Sequence, residues 1–147
     1  MQGVTIEYTK QWLNRGYKLR ETIKMLEKAQ MRAYDIVTGT TITLSERVQE
    51  SHGNGTENKL ITYADYCKQI DCHKTDLFEI LKQITNAIMK VENNVYKNIL
   101  ISRYINFETW EIIAQNIGYS YKQTQRLHKK SLQKVKNVLE CPIGSVI

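Results

Sequence analysis

The residues best suited to chemistry lie close together near the C-terminal end. From Ile112 to Leu139 the chain has no acidic residue. The same stretch carries Lys122, Gln123, Gln125, Arg126, Lys129, Lys130, Lys134 and Lys136. Gln and Arg side chains can make paired hydrogen bonds to adenine and guanine edges, and lysines neutralise phosphates. This is the chemistry of recognising a polyanion, not of breaking a bond. Residues 95–147 hold eight Lys/Arg and three Glu, a balance of +5, whereas residues 1–94 hold thirteen Lys/Arg and twelve acids, a balance of +1. The basic charge is therefore local, and nucleic acid is the first candidate partner. Charge alone would fit a merely solvated face equally well, so spacing and local structure have to decide between the two.

Residue types that catalyse or bind metals are not arranged to do so. His52, His73 and His128 fall in a polar linker, a coiled-coil helix and the basic helix, and none has an evident nucleophile or carboxylate partner. Glu108 and Glu111 read as helix first-turn charges rather than as an acid–base pair. Cys67, Cys72 and Cys141 are odd in number, and neither a C-x-x-C nor an H-x-x-x-H spacing occurs. No phosphate loop is present either. The expectation is no enzyme activity, no catalytic residue, no metal site and no cofactor.

The elements that would position the basic residues can be read from apolar spacing. A first segment spans about Asn94–Tyr104, with Val95, Ile99, Leu100 and Tyr104 at helical intervals, and Asn106-Phe107 makes a break. A second runs from about Thr109 to Asn116, its apolar face supplied by Ile112, Ile113 and Ile117, with Trp110 set to pack on the preceding helix. Ala114 allows close approach of a neighbour. Gly118 suits a left-handed turn, and Ser120 can cap the next helix. That third segment, about Tyr121–Leu139, turns Thr124, Leu127, Ser131, Val135 and Val138 inward. Two helices joined by a short glycine-containing turn form a helix-turn-helix. The candidate DNA-contacting residues are Ser120, Tyr121, Lys122, Gln123, Gln125, Arg126, Lys129, Lys130 and Lys134.

Upstream, two stretches share a four-three apolar rhythm. Trp12, Gly16, Leu19, Ile23, Leu26, Gln30, Ala33 and Val37 form one seam, within a helix expected over 5–37. Tyr63, Cys67, Ile70, Lys74, Leu77, Leu81, Ile84, Ile88 and Val91 form the other, within a helix expected over 61–92, which Thr62 could cap. Gly16, Gln30 and Lys74 are the weak positions. Residues 38–60, rich in Thr, Ser, Gly and Asn, read as a flexible linker with a helical fragment at 44–49. Pro142 is the only proline. The expected architecture is all-α. Residues 1–93 form a long helical hairpin or coiled coil, 94–139 a helix-turn-helix module, and 140–147 a tail. The seams fit an intrachain hairpin or a homodimer equally well.

No apolar run approaches the roughly 20 residues that span a bilayer, and no signal-peptide h-region begins the chain. A cytoplasmic location without membrane contact is expected.

The stretch RYINFETWEIIAQNIGYSYKQTQRLHKKSLQKV resembles region 4 of sigma-70-type factors. That pattern runs from an Arg-Tyr pair through W-x-x-I-A to G-x-S and a basic helix. Over the whole chain, the layout is similar to the RinA/ArpU group of phage and prophage late-gene transcription regulators. The resemblance implies that Tyr121, Lys122, Gln125 and Arg126 occupy the base-reading positions. Tyr121 and Lys122 replace the usual Arg/Glu pair, so the base preference should differ. The implied function is a sequence-specific DNA-binding regulator in a bacterial host cell, activating late genes on double-stranded DNA, with host RNA polymerase as a further candidate partner. The alternatives are a small terminase-like DNA-packaging recognition protein and a polymerase-binding adaptor.

Overall fold

Four short polar side chains decide where helices begin. In the computed structural model, which describes residues 3–39 and 53–141, Thr5, Asn93, Thr109 and Ser120 each sit in extended backbone and accept from amides of the next turn. These are amides that a helix cannot satisfy internally. The helices are α1 (Ile6–Leu13), α2 (Arg15–Thr38), α3 (Gly53–Met89), α4 (Asn94–Leu100), α5 (Trp110–Ile117) and α6 (Tyr121–Glu140), with a π-helical segment at Ile101–Ile105. No strand occurs among the described residues. The fold is all-α, as expected.

The single helix expected over 5–37 is interrupted at Asn14. Arg15 Nε donates to the Trp12 carbonyl at 3.0 Å, taking an acceptor that an unbroken helix would use internally. Thr5 caps α1 by accepting from the Tyr8 amide at 3.0 Å. The second long helix starts at Gly53 rather than near 61, so Thr62 lies inside it and caps nothing. Once nucleated downstream, a helix gains a backbone bond with each added residue, and this extension needs no apolar seam. The expected linker 38–60 is thus shortened at both ends. The expected fragment 44–49 and most of the tail lie outside the described residues.

The chain forms two compact units, residues 1–18 with 78–147 and residues 19–77. This division differs from the expected one at 93/94, because residues on both sides of that point share one core. In the first unit, Leu13, Ile84, Ile88, Val91, Leu100, Tyr104, Leu132 and Val135 pack together, with Trp12, Ile80 and Tyr96 against them. Within it α6 packs against α1, α4 and α5. Burying these side chains supplies the main stabilisation, roughly 1.5–3 kcal/mol for each large aliphatic group.

The second unit is the antiparallel pairing of α2 with α3. Glu27 meets Lys74 at 3.5 Å. Gln30 Nε2 donates to Cys67 Sγ at 3.2 Å, and the Tyr34 and Tyr63 rings lie 5.8 Å apart. The positions rise on one helix as they fall on the other. Two weak seam positions, Gln30 and Lys74, are thus used for polar contacts between the helices. Ile23 and Ile70 are the buried apolar side chains of this unit among the described residues.

Candidate nucleic-acid interface

The turn between α5 and α6 is three residues, Gly118, Tyr119 and Ser120. Gly118 has φ 78, ψ 24, in the left-handed region. The Gly118 and Tyr119 amides both donate to the Ala114 carbonyl, at 3.0 and 3.2 Å, closing the end of α5. Ala114 is 7% exposed, which fits its role as a small residue at a close approach. Ser120 Oγ accepts from the Gln123 amide at 3.1 Å. Thr109 Oγ1 does the same for Ile112 at the start of α5. The turn chemistry read from Gly118 and Ser120 is present.

Upstream, the Asn106 amide donates to the Ile101 carbonyl at 2.9 Å, a five-residue step that defines the π-helical segment. Such an insertion re-aims the side chains beyond it. Phe107 then adopts φ 60, and the Glu108 amide returns to the Ser102 carbonyl at 2.9 Å. Arg103 clamps this bend. It donates to the Glu108 carbonyl at 3.0 Å, and its guanidinium lies 4.7 Å from the Trp110 ring centroid. Trp110 also meets the His128 ring edge-on at 4.5 Å.

One face of α6 is buried: Thr124, His128, Ser131, Leu132 and Val135. Its polar members are satisfied. Thr124 Oγ1 donates to the Ser120 carbonyl at 2.8 Å, and Ser131 Oγ donates to the His128 carbonyl at 2.6 Å. Three of the five residues read as inward-facing, Thr124, Ser131 and Val135, are buried. Leu127 and Val138 are half-buried. Helical spacing did not mark His128 and Leu132. His128 Nε2 is hydrogen bonded to Tyr104 Oη at 2.7 Å. Burial, followed by the charges of Lys10 and Arg103, pulls its pKa down to about 4, so the imidazole is neutral at pH 7. Burial pushes the Tyr104 phenol well above its usual range.

The opposite face carries the candidate DNA contacts. Lys122, Gln123, Arg126, Lys129, Lys130 and Lys134 are exposed, Tyr121 is 50% exposed, and Gln125 is half-buried. At helical spacing Lys122, Arg126 and Lys130 share one stripe, flanked by Gln123 and Lys129. None of the five candidate cations, Lys122, Arg126, Lys129, Lys130 and Lys134, is ion-paired among the described residues; Lys136, which is not a candidate, pairs with Glu140 at 3.3 Å. Gln125 and Lys129 also border a groove between α6 and α1 of about 490 Å³, which Lys10, Asn14, Arg103 and His128 help to line. Sequence spacing gives no hint that α1 contributes here, because Lys10 lies more than a hundred residues away in the chain.

Among the described residues, no group of three or more His, Cys, Asp or Glu is placed to hold a metal ion. No helix there is long and apolar enough to cross a membrane. Comparison of the chain with protein-family models, curated proteins and solved structures gave no match.

Proposed function

We propose that the chain is a sequence-specific DNA-binding transcription regulator, with α5, its turn and α6 acting as a helix-turn-helix. The observation that carries this reading is the exposed face of α6. It presents Lys122, Gln123, Arg126, Lys129 and Lys130 on a helix whose opposite face is buried in the core. Such a helix can enter the major groove as a rigid element, and its side chains are free for bases and phosphates. The sigma-like pattern of residues 103–135 supports the same reading and suggests activation of phage late genes. Residues 19–77 would then serve a second role, in self-association or in contact with RNA polymerase. The protein acts by binding, and the reading assigns it no reaction.

The test is a salt-dependent titration of the full chain on fragments from around its own gene, with random DNA as competitor. A preferred fragment should bind roughly 10³-fold or more above random DNA. Salt-sensitive binding without preference would favour the packaging alternative. No binding at low salt would remove the DNA-reading role and leave the polymerase adaptor.

A further inference from the structure

The groove between α1 and α6 has a charge that the helix-turn-helix alone does not explain. Lys10 and Asn14, from the N-terminal end of the chain, face Arg103, Gln125 and Lys129 across it. The lining holds three cations, Lys10, Arg103 and Lys129, and one carboxylate, Glu7, a formal balance of +2 with His128 neutral. Glu7 is exposed and accepts from Gln11 Nε2 at 3.2 Å. Neither Lys10 nor Lys129 is ion-paired among the described residues.

Arg103 is already held in place by the Trp110 ring and the Glu108 carbonyl, so it loses little freedom in binding an anion. Around the cations, Asn14, Gln125 and Gln133 offer neutral amide donors. We infer that this groove is a binding site for a phosphate-type dianion, held by Lys10, Arg103 and Lys129. A balance of +2 matches a dianion better than a single carboxylate. Burial is the main reason for the low basicity of His128, and the charges of Lys10 and Arg103 lower it further, as expected for a ring that lines the same groove as both cations.

The phosphate has two sources. One is the DNA backbone. Gln125 and Lys129 connect the groove to the exposed face of α6, so a strand lying on that face would bring a phosphate to its mouth. This source rests on the proposed function. The other is a soluble phosphate or phosphate ester, which needs no DNA binding at all.

The test uses the full chain, Lys10→Gln, and Lys90→Gln as a control that removes an exposed cation outside the groove. In one arm, inorganic phosphate replaces chloride at constant ionic strength while the His128 ring signals are followed by NMR. In the other, binding to one duplex is measured across a salt series. A saturable His128 shift in the wild type that Lys10→Gln abolishes establishes a soluble anion as the occupant. No phosphate response, but a salt slope lower by about one in Lys10→Gln and unchanged in Lys90→Gln, establishes a backbone phosphate. Absence of both effects, or equal effects in the two variants, overturns the site. If the wild type binds no duplex, the proposed function falls and the phosphate arm alone decides the groove.

Discussion

Tyr104 Oη and His128 Nε2 lie 2.7 Å apart, joining the π-helical segment to α6 inside the core. Both rings are nearly out of solvent, at 2% and 5% exposure. His128 lies on the buried face of α6 with Thr124, Ser131, Leu132 and Val135, and the bond ties that face to the segment before α5.

His128 should make stability depend on acid. Its folded pKa is about 4 against an ordinary value of 6.5, so the unfolded chain takes up the proton first. Its contribution is complete above about pH 6.5 and is lost as pH falls toward 4, by about 3 kcal/mol at most. The groups facing it are Lys10 of α1, Arg103 and Tyr104 of the π-helical segment and Trp110 of α5. Urea titrations at about pH 7, 6, 5 and 4.5 should show this slope, and His128→Gln should flatten it. An equal slope in the variant would move the acid sensitivity to other groups.

Removing only the phenol hydroxyl, in Tyr104→Phe, leaves the buried His128 nitrogen without its partner. The expected cost is about 1–3 kcal/mol in denaturant titration. An unchanged midpoint would mean that water replaces the hydroxyl.

Gly118→Ala places a side chain at φ 78. No atom lies within 4 Å of the added carbon, so the penalty is conformational, roughly 1–2 kcal/mol. Thermal denaturation measures it. A neutral substitution would show that the turn relaxes to another geometry.

Ser120→Ala separates capping from DNA contact. The hydroxyl is already engaged by the Gln123 amide, so stability should fall by about 1 kcal/mol. The exposed hydroxyl keeps its own proton to donate, so DNA affinity, measured well below the melting temperature, should change little only if capping is the sole role of Ser120. A large affinity loss with unchanged melting would make Ser120 a direct contact instead.

Much of the fold is legible in the sequence where local chemistry decides the outcome. Gly118 and Ser120 announce the turn and the cap whatever surrounds them, and Thr124, Ser131 and Val135 come from helical spacing. Three features depend on distant parts of the chain or on backbone register and are not legible. The first helix is interrupted at Asn14, where Arg15 reaches back to the Trp12 carbonyl and its other end meets Gln83 at 3.1 Å. His128 looks like one more polar residue in a basic helix until Tyr104 and Trp110 close over it. The π-helical step at Ile101–Ile105 has no residue-type signature, since it is one extra residue in the hydrogen-bond register. Residues 53–60 mislead for a different reason. Their Gly and Asn favour turns, yet an exposed helix end needs only continuity with the turns beyond it.

Lys134 tests the outer margin of the same face. Lys134→Ala should weaken binding almost equally on all DNA and lower the salt slope by about one. An unchanged slope would remove it from the contact set.

DNA reading by α6 stands or falls on a comparison of the wild type with Arg126→Ala. Both are titrated on preferred and random duplexes at one salt concentration, with folding checked by circular dichroism. Arg126 is exposed, so the fold should survive the change. The expected result is a loss of about 1–3 kcal/mol on the preferred duplex and a smaller loss on random DNA, so that discrimination narrows. Unchanged affinity on both duplexes would contradict DNA reading by this helix, because the centre of the exposed α6 stripe would then lie outside the interface.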